Sequence, residues 1–352
     1  MCKVKTTFRR AERGRGQGVA AQGPDLLTSP TDAQLATFPP EFGTRFWVTI
    51  DTEEDFDWGK PFSRVHHSLN SLARLGDCQS WFHERGVSPL YLVDWPVIND
   101  PAAGALLREA VARGEAEVGA QLHPWVTPPF DEVINARNSY TGNLPLPLQR
   151  AKMTALRDRI TDVIGTAPLA YRAGRYGLGR ETAQILVDLG FRCDTSVRSG
   201  FDYGDGHGPD YRFRPLRPWW VANDDLLEAP LTTLFTGLAG ERGYHRLARL
   251  GGAALSLAAR MGVVERIALT PEGIPAERAC AAIDRAVALG LPLLNFSFHS
   301  PSLEPGHTPY VRTAADLSAF YAWWDRVLAH LDQRGVRSAT VADVLAVAQR
   351  PT

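Results

Sequence analysis

Short β-branched and aromatic runs alternate with longer amphipathic segments from Arg45 onward, and this alternation limits the folds that are open to the chain. The runs predict strands and the segments predict helices. Strands are expected at 45–50, 89–94, 115–123, 168–173, 191–197, 226–231 and 291–298. Helices are expected at about 67–85, 101–113, 147–164, 180–189, 244–260, 275–289 and 313–334. Such alternation forms βαβ units, so the pattern predicts an α/β protein with a parallel sheet.

The length and composition of the chain set its domain organisation. The 352 residues are 44% hydrophobic and 22% charged, which is enough chain for one large domain or two small ones. Residues 1–42 are rich in Gly, Arg, Gln, Ser, Thr and Pro with little periodicity, a composition that cannot bury a core. We expect a disordered leader over 1–42 and a single catalytic domain over 43–350.

Several classes of partner and location are excluded by what the sequence lacks. The net charge is -1 and no basic stripe interleaved with aromatic residues occurs, so no nucleic-acid partner is expected. No apolar run reaches the roughly 18 residues of a membrane span, and the basic N-terminus is not followed by the apolar core of a signal peptide. The four cysteines are scattered, which indicates free thiols in a reducing compartment. The expected location is cytoplasmic, and the oligomeric state is left open.

The first predicted strand ends in a cluster of carboxylates, Asp51-Thr-Glu-Glu-Asp55. Such a cluster repels itself unless a metal ion, an arginine or shared protons offset the charge. Alternation along an extended chain sends Asp51, Glu53 and Asp55 to one side and Glu54 to the other, so Asp51 and Glu53 could share a cation. A solvated acidic loop is the alternative interpretation.

Other predicted strands also end in ionisable residues. The carboxyl ends of parallel strands collect active-site groups in a β/α barrel or a doubly wound sheet. His299 ends a buried apolar strand, where an imidazole beside carboxylates can act as a general acid. We expect one pocket to contain the following residues: Asp51, Glu53, His123, Arg172, Asp194 and His299. No Gly-x-Gly-x-x-Gly follows the first strand, which argues against a nucleotide cofactor.

Two of these residues have structural as well as functional interpretations. A period of two places Gln121, His123 and Trp125 on one face of their strand, which makes His123 a candidate imidazole ligand. A hydrogen-bonded core histidine is the alternative. The guanidinium of Arg172 can clamp a carboxylate and keep it ionised, or it can belong to a buried ion pair without a catalytic part.

The order of these motifs resembles a known family. An acidic cluster, a His-Pro segment, Arg-x-Gly-x-Tyr, Asp-x-Ser and a strand-end His are similar to the five sequence blocks of the polysaccharide deacetylase family, the NodB-homology domain of carbohydrate esterase family 4. The resemblance covers roughly residues 45–345. It implies a distorted (β/α) barrel that uses a divalent metal, commonly zinc, to hydrolyse N-acetyl groups on amino sugars.

The resemblance also implies roles for individual residues. Asp51 matches the catalytic base and Glu53 a metal carboxylate. Arg172 matches the arginine that holds the base, Asp194 the acid that orients the catalytic imidazole, and His299 the general acid. The second block departs from the family, because its two usual histidine positions contain Gln121 and Trp125. His123 lies between them, and Glu53, His123 and Gln121 would supply three ligands, although a neutral amide oxygen is a poor ligand for zinc.

These features predict a hydrolase of amide carbon-nitrogen bonds, which removes the acetyl group from an N-acetylated sugar or polysaccharide with the help of a metal. A metal-independent amide or ureide hydrolase and a non-catalytic carbohydrate-binding relic are the alternatives. The expected partner is a carbohydrate or another N-acylated small molecule. Trp125 and Tyr176, together with Trp219 and Trp220, offer apolar faces to a sugar ring, with packing in the core or a lid as the alternative.

Overall fold

The computed structural model describes residues 25–221 and 225–350. The strands of these residues are β1 (Arg45–Thr52), β2 (Leu90–Val93), β3 (Glu117–Leu122), β4 (Ala170–Ala173), β5 (Cys193–Asp194), β6 (Trp219–Val221), β7 (Leu226–Glu228), β8 (Thr233–Thr236), β9 (Glu265–Ala268), β10 (Leu293–His299) and β11 (Arg337–Ser338). The α-helices are α1 (Leu75–His83), α2 (Trp95–Asn99), α3 (Pro101–Ala112), α4 (Leu146–Ile164), α5 (Thr182–Asp188), α6 (Gly240–Arg249), α7 (Gly252–Arg260), α8 (Ala276–Ala288), α9 (Ala314–Gln333) and α10 (Val341–Val347).

The main sheet is curled and mostly parallel, with the strand order β10-β1-β2-β3-β4-β5-β7-β6. Only the pair β6–β7 is antiparallel along this path, and β11 pairs with β1 beyond it. The register of β1 and β10 places Asp51 beside His299. The register of β3 and β4 places Gln121 beside Arg172. Residues that lie far apart in the sequence therefore meet at the carboxyl ends of the strands.

No regular strand pair closes this sheet among the described residues. Instead, a few backbone hydrogen bonds of residues 231 and 232 link its two sides. Leu231 N donates to Val197 O on one side, and Thr232 N and Asn295 O are 3.3 Å apart on the other. The antiparallel pair β8–β9 continues from this connection, and Leu269 N donates to Thr232 O. The predicted α/β barrel is therefore present in a distorted form, with a loop in place of part of its wall.

Apolar side chains pack on both faces of the sheet. The larger core lies between the strands and the surrounding helices and includes Tyr91, Leu156, Phe298 and Trp324. The smaller core lies inside the curled sheet, away from the carboxyl ends of the strands, and includes Trp47 and residues that precede β1 or follow β11. Because both faces of the strands are buried, the strands read as nearly continuous apolar runs in the sequence.

The structure corrects several predicted boundaries. The helix expected at 67–85 begins as a 3-10 turn over Asn70–Arg74, and the helix expected at 244–260 is two helices separated at Gly251, whose φ is 107°. Strands β6, β8, β9 and β11 have two to four residues each and were not predicted, because so short a run shows little periodicity. The strands β2, β4, β5 and β7 are equally short, but they lie within the longer runs 89–94, 168–173, 191–197 and 226–231.

The expected leader overlaps the packed part of the molecule. Residues 1–24 lie outside the described residues, but residues 25–42 contain the buried side chains of Leu26, Ala36 and Phe42. Ala36 N donates to Pro218 O, so this segment is hydrogen-bonded to the domain as well as packed on it. The boundary expected at residue 42 therefore does not mark the edge of the domain. In the described part of the chain, no helix is long and apolar enough to cross a bilayer.

Candidate active site

A cavity of about 210 Å³ opens at the carboxyl ends of the strands. It is lined by Asp51, Glu53, Trp58, Gln121, His123, Tyr140, Ala173, Arg175, Tyr176, Arg198, Tyr203 and His299. The two long loops, 124–146 and 198–218, contribute Tyr140, Arg198 and Tyr203 to its wall. The cavity thus contains most of the ionisable residues that the sequence predicted for one pocket.

Asp51 lies near the end of β1, and its carboxylate is held by Arg172. One guanidinium nitrogen of Arg172 donates to Asp51 Oδ1, and the other terminal nitrogen donates to Thr49 Oγ1 at 2.9 Å and to Thr195 Oγ1 at 2.8 Å. Arg172 Nε donates to Thr195 O at 3.0 Å, and its side chain is fully buried. Every donor of this arginine therefore has a fixed direction, which orients Asp51 Oδ2 toward His299 at 3.6 Å from its Nε2.

His299 ends β10 with its other ring nitrogen bonded to Glu272. His299 Nδ1 is 2.7 Å from Glu272 Oε2, and the backbone N–H of His299 donates to Glu272 Oε1. Burial alone would lower the pKa of His299, but attraction to Glu272, Glu53 and Asp51 outweighs it and raises this pKa to about 10. The same interactions lower the pKa of Glu272 against the effect of its burial. An imidazolium at His299 is therefore the favoured form at neutral pH.

The prediction that Asp194 orients the imidazole is wrong. Asp194 is in register with Tyr171, whose side chain packs toward the helices, while Arg172 points to the inner side of the sheet. Asp194 instead accepts hydrogen bonds from Ser196 Oγ at 2.7 Å and Ser196 N at 3.2 Å. Desolvation by burial raises its pKa. A one-residue change of position along a strand reverses the side of the sheet, which is why Asp194 lies away from His299.

His123 is held from behind by Glu54. Its Nδ1 is 2.8 Å from Glu54 Oε2, and Trp125 Nε1 donates to Glu54 Oε1 at 2.8 Å. The Trp125 ring stacks on the imidazole with their centroids 4.5 Å apart. With Nδ1 engaged, Nε2 of His123 faces the cavity at 3.4 Å from Glu53 Oε2. A carboxylate on the far nitrogen is the arrangement that orients metal-binding histidines.

Gly174 makes this position of His123 possible. A Cβ atom at Gly174 would lie 2.4 Å from His123 Cδ2 and 2.5 Å from Leu122 O. Any larger residue would therefore displace either the imidazole or the end of β3. Steric contact thus explains why a glycine occupies this position of the Arg-x-Gly-x-Tyr motif, which the sequence alone did not reveal.

Glu53, His123 and Gln121 suit a divalent cation. The Glu53 carboxyl is buried, and desolvation by burial raises its pKa to about 8 despite the attraction of His299 and His123. Gln121 Oε1 is buried and has no hydrogen-bond partner among the described residues. An unpaired acceptor and a desolvated carboxyl beside an oriented imidazole are groups that a cation would stabilise.

A second cluster of possible ligands is already satisfied internally. Ligand atoms of Glu54, Asp94 and His123 lie within 4.8 Å of one another. Asp94 accepts hydrogen bonds from Val97 N and Glu54 N, both at 2.9 Å, and burial raises its pKa well above its ordinary value. A cation there would displace existing hydrogen bonds, so we interpret this cluster as the support of His123.

Two other predictions from the strand alternation are wrong. Asp55 does not face Asp51 and Glu53, because β1 ends at Thr52; its Oδ2 accepts a hydrogen bond from Ser68 Oγ at 2.8 Å. Trp125, predicted to contact substrate, does not line the cavity and is only 1% exposed. The remaining aromatic candidates differ among themselves: Tyr176 lines the cavity, whereas Trp219 and Trp220 are buried in β6.

Sequence reasoning missed Glu272 and the arginines of the cavity wall. Glu272 follows β9, a four-residue strand without a visible pattern, so nothing marked it as a strand-end residue. Arg175 lies inside the Arg-x-Gly-x-Tyr motif, but it occupies a variable position of that motif, so the resemblance assigned it no role. Arg198 is the first residue of the loop 198–218. The length of this loop was the one feature of the sequence that indicated a functional role for it.

Comparison with solved structures supports the fold. The allantoinase PuuE matches with a TM-score of 0.52 and 14% identity, over 88% of this chain and 91% of that one. A 4-alpha-glucanotransferase from Thermococcus litoralis matches with a TM-score of 0.51 and 11% identity, over 88% of this chain and 42% of that one. A family 4 carbohydrate esterase from Streptomyces lividans matches with a TM-score of 0.40 and 12% identity, over 88% and 98%.

The two matches with TM-scores above 0.5 confirm the predicted fold class, a distorted (β/α) barrel. Polysaccharide deacetylases are also among the matching structures. At such identities the likeness concerns the fold alone. No family model matches the chain, and no curated protein matches it. The activity must therefore be argued from the site.

Proposed function

We propose that this protein is a hydrolase that cleaves the carbon-nitrogen bond of an N-acylated substrate. The observation that carries the proposal is the pair formed by Asp51 and His299, whose Oδ2 and Nε2 atoms are 3.6 Å apart at the cavity wall. Amide hydrolysis requires a base that takes a proton from water and an acid that gives one to the departing nitrogen. Each group is held by a partner of opposite charge, Arg172 for the base and Glu272 for the acid.

The two groups are suited to opposite roles. Arg172 places a permanent positive charge beside Asp51 Oδ1, and an aspartate carboxylate can accept a proton from water. Glu272 stabilises the imidazolium of His299, which can donate its Nε2 proton to the amine as the carbon-nitrogen bond breaks. In general acid-base catalysis, two titratable groups commonly lie in different electrostatic environments, which suit one group to accept a proton and the other to donate one.

Glu53, His123 and Gln121 would hold the divalent metal of this proposal. When bound, such an ion lowers the pKa of water and polarises a carbonyl oxygen. Glu54 keeps the tautomer of His123 in which Nε2 is free to face the cavity, and Trp125 restricts the tilt of its ring. The metal that we propose is zinc, which the imidazole of His123 suits, whereas the neutral amide of Gln121 adds no charge to the site.

The direct test is turnover by the purified protein. We expect release of acetate from N-acetylated sugars, or opening of a cyclic ureide, and loss of this activity by at least about 100-fold in Asp51→Asn and in His299→Gln, since general acid-base groups contribute about that much or more. Loss of activity on chelation and its return with zinc would support the metal. Activity that survives chelation would instead favour the metal-independent hydrolase, and no turnover of any amide would favour the carbohydrate-binding relic.

A further inference from the structure

Two arginines line the cavity in addition to the acid and the base. Arg175 follows β4, and Arg198 follows β5 at the start of the loop 198–218. Both side chains are partly buried. A guanidinium remains charged at every pH at which the protein functions, so the wall of the cavity carries two permanent positive charges.

Neither arginine forms a close ion pair in residues 25–221 and 225–350, although Glu272 attracts Arg198 at longer range. No carboxylate oxygen of these residues lies within 4.0 Å of either guanidinium. Arg175 donates to Ser139 Oγ and lies 4.1 Å from the ring centre of Tyr140. Arg198 lies 4.0 Å from the ring centre of Phe201, and its Nη1 is 3.5 Å from Tyr203 Oη. Rings and hydroxyls orient these cations but do not neutralise them.

One atom of this pair has no hydrogen bond at all. Arg198 Nε is buried from solvent and is without a hydrogen-bond partner in the described part of the chain. A buried donor on a charged group is costly when it is left unsatisfied. The site therefore leaves an interaction open that a ligand could complete.

The carboxyl groups of the cavity are already engaged elsewhere. Asp51 is bonded to Arg172, and Glu272, behind the wall, is bonded to His299. Glu53 lies against His123 as the proposed metal ligand. The positive charges of Arg175 and Arg198 are thus in excess, and the proposed metal would add to this excess.

The backbone also departs from its ordinary conformation at this point. Arg175 and Tyr176 have φ values of 56° and 60°, in the left-handed region that non-glycine residues rarely adopt. Two such residues in succession place both side chains on the cavity wall. Conformations of this kind cluster at sites that bind ligands.

From these observations we infer that the substrate carries an anionic group, a carboxylate or a phosphate, which binds to Arg198 and Arg175 while its amide reaches Asp51 and His299. This inference rests on the proposed function and narrows its substrate class. The planar guanidinium matches both oxyanions, because it can donate two parallel hydrogen bonds to either one.

Calorimetric binding of matched probes tests the inference. The probes are N-acetylglucosamine, N-acetylmuramic acid, which adds a carboxylate, and N-acetylglucosamine 6-phosphate, which adds a phosphate. We expect the wild-type protein to bind at least one anionic probe about 10-fold or more tightly than the neutral sugar, since a hydrogen bond to a charged group is worth about this much. The anionic probe that binds more tightly identifies the oxyanion.

Variants of single arginines then locate the binding group. Arg198→Gln should remove the preference for the anionic probe, measured as the ratio of its affinity to that for the neutral sugar in the same variant. Arg266→Gln is the matched control, because Arg266 lies 4.2 Å from the ring centre of the same Phe201 but does not line the cavity. Arg175→Gln provides a second variant should Arg198→Gln fail to fold, with thermal unfolding as the check.

The outcomes separate this inference from the proposed function. If neither anionic probe binds more tightly than the neutral sugar, or if Arg198→Gln weakens all probes equally, the inference is overturned. Hydrolysis is measured on the same probes. Cleavage of the neutral sugar without any anionic preference would retain the proposed function alone, whereas anion-selective binding that Arg198→Gln abolishes, without any cleavage, would retain the anion site alone.

Discussion

At the scale of single residues, the candidate site consists of groups that face the cavity and partners that hold them from behind. The three pairs are Asp51 with Arg172, His299 with Glu272, and His123 with Glu54. In each pair the partner fixes the direction of the group in front, and Glu272 also raises the pKa of His299. Removal of a partner should therefore change the chemistry of the site without removing any group that touches substrate.

Glu272→Gln should lower the pKa of His299 from about 10 toward its ordinary value near 6.5. The sign follows from charge: Glu272 stabilises the imidazolium, so a neutral amide stabilises it less. His299 would then lose its proton at a lower pH. The alkaline limb of the pH-activity profile should therefore also shift to lower pH. NMR titration of the His299 ring measures the pKa directly.

Asp194→Asn is the matched control for this titration. Because Asp194 pairs with Ser196 and not with His299, its substitution should leave the pKa of His299 almost unchanged. Equal shifts in the two variants would contradict the structure and restore the role for Asp194 that the sequence predicted.

Gly174→Ala should destabilise the protein and impair its activity. The new methyl group would lie 2.4 Å from His123 Cδ2, so the imidazole or the end of β3 must move, at a cost of about 1–3 kcal/mol. Chemical denaturation measures the change in unfolding free energy. Gly252→Ala is the control, because no atom lies within 4 Å of its added Cβ and α7 begins there. A stable and fully active Gly174→Ala variant would refute the steric argument.

At the scale of secondary structure, the long buried strands were predictable in position and orientation, whereas the short ones were either missed or predicted without a clear orientation. β1 and β10, with eight and seven residues, gave clear apolar runs, and Asp51 and His299 could therefore be placed at neighbouring strand ends. β9 has four residues and β5 has two, so neither Glu272 nor the orientation of Asp194 could be inferred. Periodicity needs several residues before it indicates which face a side chain takes.

The loop 124–146 is tied to α4 by a buried cation. Lys152 Nζ donates to Pro124 O at 2.9 Å and Pro129 O at 2.7 Å, and it lies 2.9 Å from a carboxylate oxygen of Glu132. This lysine is fully buried, and desolvation lowers its pKa. The loop that contributes Tyr140 to the cavity is therefore anchored by the ammonium group of Lys152 in the helix that follows it, and Arg64 adds hydrogen bonds to Phe130 O and Glu132 O from the other side.

Lys152→Met should destabilise the protein by about 3 kcal/mol, because it removes the nearer of the two cations beside the buried Glu132 carboxylate and leaves the carbonyls of Pro124 and Pro129 without this donor. Arg150→Met is the control on the same helix, since Arg150 and Asp188 form a pair that is largely exposed to solvent and contributes little. Unfolding in urea measures both changes. Similar stabilities for the two variants would show that the buried ammonium does not anchor the loop.

At the scale of the whole molecule, residues 36–42 and 341–349 close the barrel on the side away from the cavity. Thr37 pairs with Gln349, and Trp220 Nε1 donates to Gln349 O at 3.2 Å. Ala36 and Phe42 pack in the inner core with residues of β1 and α10. The sequence did not indicate this closure, because the apolar residues among 25–42 are too few and too irregularly spaced to resemble a strand or a helix.

Removal of residues 1–42 should therefore destabilise the domain, although a leader with this composition would be expected to be dispensable. The deletion uncovers the inner core around Trp47 and breaks the hydrogen bonds of residues 36 and 37 to the rest of the chain. A chain that begins at residue 25 keeps these contacts and serves as the control. Thermal unfolding of both chains, compared with that of the full chain, measures the effect. If the chain that begins at residue 43 unfolds at the same temperature as the control, the packing of residues 25–42 contributes nothing to stability, and the original boundary of the domain is the correct one.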